Sequence, residues 1–396
     1  MDKGGVILTA GKNWHTLAAT RCLGKHGIRV ACGEDQGSTC AVFFSRYCSQ
    51  RFSYPPFETQ PENFVDAVCD FANKHQEFNV LMPTSFETYT ISKYIDYIKS
   101  RSPHLKIPLH SYDYIKFAND KQKVSELAAK IKIPIPQTFY PRSIEKAKDV
   151  AARINYPAII KIRAGAAGMG MTYVYNAQEM VTAYEETIKK FSLDADNLPI
   201  IQEYIPGTDY GAAVLFNHGA LRAAVVFKAL ESLPPKGGMM ISRVSVFNRQ
   251  MKDSLIALAR EMSWHGVIMA DFRLDERDNT PKLLDVNPRF WFSLYQAIAA
   301  GVEFPYLLYR IAVDDDFPPI EDYKIGIRTR YFWGYTVNPQ TRLHEAENKK
   351  IIKQSRGYNK TKFEDVSYRD PLPNMAICFN AMVRLARTRQ WLKLTK

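Results

Sequence analysis

The sequence lacks any apolar run that could cross a membrane. Such a span needs roughly 18–20 consecutive apolar residues, and no stretch of the 396 residues approaches that length. Residues 1–5 do not resemble a secretory signal, because the charged and apolar segments that define one are missing there. We therefore expect a cytoplasmic protein.

The cysteines form no pattern that would indicate a disulfide framework or a zinc site. No two of them are spaced as C-x-x-C, and no paired histidine spacing accompanies them. They are Cys22, Cys32, Cys40, Cys48, Cys69 and Cys378. We expect reduced and mostly buried thiols.

The fingerprint of a dinucleotide site is also missing. Apolar runs at residues 6–9 and 28–32, with a helical pattern at 14–26 between them, predict a strand, a helix and a strand. In an NAD site the first turn would carry G-x-G-x-x-G, whereas here it reads TAGKNWH. We interpret this opening as a scaffold domain.

Positive charge is concentrated near the end of the sequence. The formal net charge is +12, and residues 341–396 contain thirteen Lys/Arg against five Asp/Glu. Because the rest of the chain is nearly neutral, the charge does not predict a nucleic-acid partner.

The stretch with the most chemical information is residues 268–289. Two apolar runs, at 268–274 and 282–286, flank a turn-rich connection and predict a β-hairpin. Its end reads DVNPR, so the second strand carries an acid, an amide and an arginine at alternate positions.

These polar side chains could form a metal site. Asp285 and Asn287 share one face of their strand, and antiparallel pairing can bring them to Asp271 on the other strand. Mg²⁺ prefers such oxygen ligands, and Arg289 could clamp a phosphoryl group or a carboxylate in a bidentate way. The alternative is an acidic hairpin face exposed to solvent.

A glycine-rich loop at residues 164–170 connects two predicted strands, at 156–163 and 171–175. Walker A and Rossmann loops run into a helix, so the strand that follows disfavours both. The small residues would let backbone N–H groups close over phosphates, with Lys161 supplying positive charge. A glycine-rich hairpin without a ligand is the alternative.

Two further stretches carry candidate nucleotide contacts. Residues 198–210 predict an apolar strand that ends in a Pro-Gly turn, followed by Asp209. Asp120 predicts the N-cap of an amphipathic helix, which on local evidence leaves Lys121 as a solvated lysine of its first turn.

Candidate substrate contacts are more scattered. Thr84, Ser85 and Glu87 follow a predicted strand, and open α/β sheets bind ligands at the carboxyl ends of their strands. Lys228 and Arg243 flank a predicted loop rich in proline and glycine, where binding residues are common. Solvated charges are an equal alternative for these two.

Three motifs in this order resemble the ATP-grasp superfamily, especially its carbamoyl-phosphate-synthase-like branch. They are Lys161 with its glycine loop, QEYIPGTD at residues 202–209, and DVNPR with Asp271 fourteen residues before Asp285. In the family the position of Asp285 is usually glutamate, an acid of the same charge.

The resemblance covers about residues 5–315 and implies an α/β chain: an α+β ATP-grasp fold preceded by a Rossmann-like domain. It implies four segments, which are a preATP-grasp domain (1–110), a small lobe with the glycine flap (111–195), a large lobe with the Mg²⁺ site (196–315) and a basic C-terminal extension (316–396).

The resemblance also implies which residues bind ligands. Nucleotide contacts are expected at Lys121, Lys161, Gly165, Gly168, Gly170, Gln202, Glu203, Tyr204, Ile205 and Asp209. Metal ligands are expected at Asp271, Asp285 and Asn287, and catalytic roles at Arg289 and Lys161. Adenine would meet Gln202 and the backbones of Glu203 and Ile205, and Asp209 would hold the ribose.

The implied function is an ATP-dependent carboxylate–amine ligase that forms an acylphosphate and releases ADP and phosphate. The implied cofactors are ATP and Mg²⁺, with Mn²⁺ as an alternative ion. The expected partners are a small-molecule carboxylate, an amine and further copies of the chain. A kinase-like phosphotransferase and a non-catalytic ATP-binding module remain as alternatives.

The C-terminal tail allows one more partner. Apolar residues from 375 to 394 alternate with basic ones, in a pattern typical of an amphipathic basic helix. Such a helix can lie on an anionic membrane surface or dock on the body of the protein. Sedimentation with anionic liposomes at low and high salt would separate the two interpretations.

Overall fold

The computed structural model of the chain describes residues 4–38, 40–165, 169–233, 238–332 and 361–377. Gly168 of the glycine loop and most of the basic tail lie outside these residues, so their predicted roles stay predictions. No helix within the described ranges is both long and apolar enough to span a bilayer.

The chain begins with a four-stranded parallel sheet in the order β3-β2-β1-β4. The strands are β1 (Gly5–Leu8), β2 (Val30–Asp35), β3 (Cys48–Tyr54) and β4 (Phe78–Met82). The helices are α1 (Trp14–Lys25), α2 (Pro61–Lys74), α3 (Glu87–Lys93) and α4 (Ile95–Arg101), with a 3₁₀ turn at Ala41–Phe44. The short apolar runs form parallel strands because helices cover both faces of the sheet. The predicted strand, helix and strand at the start are confirmed.

A second, antiparallel sheet has the order β5-β8-β6-β7. Its strands are β5 (Thr138–Phe139), β6 (Ala158–Lys161), β7 (Met171–Val174) and β8 (Ile200–Glu203), and α7 (Ile144–Ala151) and α8 (Ala177–Phe191) pack against it. The glycine loop joins β6 to β7, so the predicted connection between two strands is confirmed.

The largest sheet has seven strands in the order β13-β12-β9-β10-β11-β14-β15. They are β9 (Gly207–Asn217), β10 (Ala220–Leu233), β11 (Met239–Ser245), β12 (Gly266–Asp275), β13 (Pro281–Asn287), β14 (Arg328–Arg330) and β15 (Lys362–Phe363). The associated helices are α5 (Tyr112–Asn119), α6 (Lys121–Lys130), α9 (Arg249–Glu261), α10 (Leu294–Ala300) and α11 (Phe304–Ala312). A shared apolar core, containing Leu17 of α1, Leu215 of β9 and Leu294 of α10, joins this sheet to the first one.

The observed packing differs from the predicted segment boundaries in three places. Strand β8 pairs with β5 and β6, so it belongs to the small sheet although it follows residue 195. Helices α5 and α6 pack on the seven-stranded sheet and not on the small one. Strands β14 and β15 extend the large sheet beyond residue 315. The differences arise because strand pairing and helix docking are non-local, whereas the four segments divide the chain at single points along the sequence.

The region predicted as a loop at 230–239 is also partly strand. Strand β10 continues to Leu233 and β11 begins at Met239, with a register from Phe227↔Ser245 to Leu233↔Met239. Pairing with β11 provides hydrogen bonds that a local reading of proline and glycine does not anticipate.

Buried ion pairs tie the C-terminal segment to the body. Glu364 pairs with Arg243 of β11, and both side chains are almost fully buried. Asp370 accepts from Arg21 Nε of α1 at 2.8 Å and from Ser45 Oγ at 2.8 Å. Residues 361–377 are therefore an integrated part of the fold.

Candidate active site

The three sheets surround one cavity of about 330 Å³. Strands β6, β7 and β8 provide one wall, and β12 and β13 provide another. The turns that follow β1 and β4 reach it from the first sheet, which places the carboxyl ends of those strands at the cavity.

The predicted hairpin is confirmed and its polar residues meet. Asp271 lies directly opposite Asp285 in the β12–β13 register, and a register shift follows Asp271. Asn287 Nδ2 donates to Asp271 Oδ2 at 3.2 Å, and Arg289 donates to Asn287 Oδ1 at 3.1 Å. The interpretation as a solvated acidic face does not hold, because all four residues line the cavity.

The electrostatics of this cluster fit a divalent cation. Burial in the cavity wall, then the nearby charges of Asp285 and Asp209, raise the pKa of Asp271 to about 7. Carboxylates placed this close disfavour each other's charged form, and a cation that binds between them removes the penalty. Two carboxylates and an amide are the donor set that Mg²⁺ takes up beside a phosphate ligand.

We expect the raised pKa of Asp271 to appear in the stability of the metal-free protein. The folded-state pKa is about 7 and the ordinary value is 3.8. The favourable contribution of Asp271 to the free energy of unfolding is therefore fully present below about pH 4 and is lost as the pH rises through 7. Asp271→Asn mimics the protonated form, so at pH 8 with a chelator it should melt roughly 2–6 °C higher than the wild type.

The advantage of Asp271→Asn should shrink steadily as the pH is lowered from 7 toward 4, which calorimetry at several pH values would show. Asp278→Asn is the matched control, since Asp278 lies on the exposed connection of the same hairpin. A variant that melts below the wild type at pH 8 would contradict the raised pKa assigned to Asp271.

Lys121 is not the solvated lysine that its local sequence indicates. Its Nζ lies 3.0 Å from Asp285 Oδ2 and donates to the carbonyl of Gly165 at 2.9 Å. Asp120 caps the helix by accepting from two backbone N–H groups, and it pairs with Arg163. The cap therefore fixes the first turn where Lys121 can link the glycine loop to the hairpin.

Lys161 lies at the end of β6 and points into the cavity. Its Nζ donates to Gln202 Oε1 at 2.6 Å, and Gln202 Nε2 donates to Thr138 at 2.9 Å. No carboxylate among the described residues lies within ion-pair distance of Lys161. Burial is the largest cause that lowers its pKa, to about 8. The charges of Asp285 and Asp271 act on Lys161 only from beyond ion-pair distance, so the buried ammonium is available to an anionic ligand.

The segment from β8 into β9, residues 202–209, which we call the hinge, places Gln202, Glu203, Ile205 and Asp209 at the cavity. Asp209 is held by Arg273, whose Nε donates to it at 2.7 Å and whose second nitrogen lies 2.6 Å away. Arg273 also donates to the carbonyl of Ile205 at 3.2 Å. Gly207 has a φ of 144°, and a Cβ there would lie 1.9 Å from the carbonyl of Leu274, so only glycine fits this turn.

Sequence reasoning missed Arg273. The available signal was its position two residues after Asp271 on the same strand, which places both on one face.

Two backbone groups in the hinge are already engaged. The N–H of Glu203 donates to the carbonyl of Gln137 at 2.9 Å, and that of Tyr204 donates to the carbonyl of Pro157 at 3.3 Å. The predicted adenine contact of Glu203 can therefore use only its carbonyl. Tyr204 and Gly170 are not part of the cavity lining.

Of the three residues predicted after the strand that is now β4, Ser85 lines the cavity, whereas Thr84 and Glu87 lie behind it. Glu87 is fully buried, and it accepts from Thr9 Oγ1 at 2.8 Å and from the N–H groups of Thr84 and Ser85. Its carboxylate thus fastens β1 to the end of β4.

The two predicted basic contacts also lie elsewhere. Lys228 lies over the ring of Tyr210, 5.8 Å from its centroid. Arg243 is buried against Glu364 and the carbonyl of Met240, so it is neither a cavity residue nor a solvated charge. The local sequence could not show that Arg243 is buried and paired, because Glu364 lies 121 residues further along the chain.

Two family models match the chain in the regions that build this cavity. Residues 120–206 match the model described as "Carbamoyl-phosphate synthase L chain, ATP binding domain". Residues 196–335 match the model described as "ATP-grasp in the biosynthetic pathway with Ter operon". The resemblance to the ATP-grasp superfamily is confirmed. The resemblance to its carbamoyl-phosphate-synthase-like branch is confirmed.

Curated relatives of this chain include the carbamoyl phosphate synthase large chain of Pyrococcus furiosus, 24% identical over 222 residues. That match covers 54% of this chain and 20% of the relative. The urea amidolyase of Saccharomyces cerevisiae is 24% identical over 249 residues, which cover 60% of this chain and 13% of the relative. The chain thus spans about a fifth or less of the length of these relatives.

Solved structures support the ATP-grasp fold. A complex of biotin carboxylase with β,γ-ATP from Campylobacter jejuni superimposes with a TM-score of 0.68 at 17% identity, covering 83% of this chain and 75% of that one. The biotin carboxylase domain dimer of 2-oxoglutarate carboxylase from Hydrogenobacter thermophilus, with MgADP, ADP and bicarbonate, gives 0.66 at 16% identity, covering 82% and 73%.

Proposed function

We propose that this ATP-grasp protein is an ATP-dependent carboxylate–amine ligase that works through an acylphosphate. The observation that carries the proposal is the meeting of Lys161, the Asp271–Asp285–Asn287 cluster and Arg289 in one cavity. Phosphoryl transfer depends mainly on positioning and on stabilisation of charge. A buried lysine, an oxygen cluster and a buried arginine are the groups that such a transfer needs.

The donor set supports ATP and Mg²⁺ as cofactors. Asp271, Asp285 and Asn287 would hold the metal ion, and Lys161 and Lys121 lie where they could meet phosphates below the glycine loop. Asp209, oriented by Arg273, would accept from ribose hydroxyls. Mg²⁺ would supply charge neutralisation at the phosphates. Mn²⁺ prefers the same oxygen ligands and is the alternative ion.

The base would lie in the apolar part of the cavity between the small and large sheets. Side chains of Ile159, Tyr173, Ile205 and Phe272 line this part. Apolar and aromatic walls with a few polar groups are typical of small-molecule sites. Gln202 reaches the same region from β8, which supports its predicted place beside adenine.

The proposed reaction has two steps, phosphorylation of the acid and capture of the acylphosphate by the amine. A carboxylate oxygen of the acid would attack the γ-phosphorus, so that the bond to ADP breaks and an acylphosphate forms. The amine nitrogen would then attack the acyl carbon, phosphate would leave, and the amine would lose a proton. Arg289 would orient the acid, a role supported by the absence of any carboxylate among its described contacts. The described lining contains no cysteine, and the route needs no covalent nucleophile.

Release of ADP, measured against paired sets of acids and amines, tests the proposal. A ligase should form an amide in step with ADP, and omission of the amine should suppress product formation. ADP and a stable phosphorylated acceptor without any amine would instead identify a kinase-like enzyme. Tight nucleotide binding without ADP release from any pair would identify a binding module.

We also propose that the chain forms a homo-oligomer, supported by the dimer described for the Hydrogenobacter thermophilus neighbour. Light scattering on the purified protein would test it, and a monomer mass at micromolar concentration would reject it.

A further inference from the structure

One end of the cavity has a different chemistry from the nucleotide and metal regions. We call it the acceptor end, and define it by Asn13, His15, Phe86, Trp291, Phe292 and Met240. It begins at Arg289, whose guanidinium lies over the ring of Phe86 at 4.6 Å from the centroid. The side chains come from the turn after β1 and the start of α1, the turn after β4, the segment after β13 and strand β11.

The charge of the acceptor end is unbalanced. Arg289 is buried, and none of the described carboxylates lies within ion-pair distance of it. The acidic residues in the described lining are Glu203, Asp209, Asp271 and Asp285, all of which belong to the hinge or the metal hairpin. Asp271 acts on Arg289 only across Asn287, which bonds to both side chains. A buried cation without a direct ion pair favours an anionic ligand.

Neutral polar groups accompany the arginine. His15 is buried, and both of its ring nitrogens lack a hydrogen-bond partner, as does Trp291 Nε1. Burial, followed by the charge of Arg289, lowers the pKa of His15 to about 3, so the ring is neutral. A neutral imidazole offers one donor and one acceptor, and the indole offers one donor. These groups bring no second charge to the site.

The other walls are apolar. Phe86, Phe292 and Met240 line the cavity, and Phe292 packs on Tyr331 with ring centroids 4.4 Å apart. Burial of apolar ligand surface against these walls favours binding, whereas the walls provide no hydrogen bonds for a sugar or for a second charged group.

From this arrangement we propose that the acceptor end binds a monocarboxylic acid with an apolar body and no ammonium group beside the carboxylate. The inference deepens the proposed function, on which it rests for the role of the acid. The carboxylate would pair with Arg289, and the body would lie against Phe86, Phe292 and Met240. An α-ammonium would lie close to Arg289 with no carboxylate to balance it, and desolvating that charge would oppose binding.

Two probe acids that differ only in the ammonium group test this selectivity. Calorimetry on the full chain saturated with MgADP would compare 3-phenylpropanoate with L-phenylalanine. We expect 3-phenylpropanoate to bind at least ten-fold more tightly, and propanoate, which lacks the ring, to bind at least ten-fold more weakly than 3-phenylpropanoate. Equal or tighter binding of phenylalanine, or no binding of any of the three acids, would overturn the assignment.

A charge variant makes the test directional. Asn13→Asp adds one negative charge to the acceptor end, and Asn13 is the N-cap of α1, a position where aspartate is well tolerated. We expect this variant to reduce the preference for 3-phenylpropanoate over phenylalanine at least three-fold. Asn248→Asp is the matched control, because Asn248 caps α9 away from the cavity. An unchanged preference in Asn13→Asp, or an equal reduction in Asn248→Asp, would count against the proposal.

Failure of this inference can be told apart from failure of the proposed function, because binding is measured without turnover. Selective binding of 3-phenylpropanoate with no amide formed from any amine would leave the acceptor assignment standing and reject the ligase. Amide formation from amino acids, with weak binding of acids that lack the ammonium, would leave the ligase standing and reject the acceptor assignment.

Discussion

Asp285→Asn is expected to lower the rate of ADP release by about 10²–10³-fold, the scale of losing a key electrostatic group in an active site. The substitution keeps the size of the side chain but removes one of the two carboxylates that face each other across β12 and β13. It also removes the charge that holds Lys121 at 3.0 Å. The rate should be measured with saturating ATP and Mg²⁺, so that weaker binding does not set the result.

The fold of Asp285→Asn should be retained. Asp285 is partly exposed to the cavity, and its Oδ1 accepts only the N–H of Val286 among the described hydrogen bonds. Asp278→Asn carries the same chemical change on the exposed connection of the hairpin and should release ADP at the wild-type rate. Near-wild-type turnover by Asp285→Asn would remove this residue from the metal set.

The hairpin could be predicted because its signals are local. Alternation along each strand placed Asp285, Asn287 and Arg289 on one face, and the turn-rich connection fixed the pairing partner. Strand β6 and the loop before β7 were predictable for the same reason. In both cases the chain reverses within a few residues, so spacing in sequence becomes proximity in space.

Contacts between distant segments could not be predicted in this way. Arg273 reaches Asp209 because β12 pairs with β9, and 64 residues separate the two side chains. The local pattern indicates a solvated Lys121, because its partner Asp285 lies on β13, far along the chain. The acceptor end is the extreme case, since His15 and Phe86 come from the first sheet and Trp291 from beyond the hairpin. Only the packing of the sheets brings them together.

Lys161→Met is expected to weaken binding of MgADP by at least ten-fold. Methionine keeps most of the volume of the side chain but removes a buried positive charge that forms no direct ion pair with any described carboxylate. Charge interactions are strong in a cavity that excludes water, so the loss should appear mainly in nucleotide affinity, measured by calorimetry. Lys146→Met is the matched control. Lys146 lies exposed on α7, which packs against the same sheet, and the substitution changes the net charge by the same amount.

The pH dependence of nucleotide binding separates a phosphate-binding lysine from one that only packs in the small sheet. The pKa of Lys161 is about 8 because burial opposes its charged form, and an anionic ligand would raise that pKa by favouring the ammonium. Wild-type affinity for MgADP should therefore be highest below about pH 8, decline above it, and be accompanied by proton uptake near pH 8–9. Lys161→Met should lose both the decline and the proton uptake, whereas Lys146→Met should keep them. If Lys161→Met binds MgADP as tightly as the wild type at pH 7, Lys161 only orders Gln202, and the charge that meets the phosphates must come from Lys121 or the metal ion.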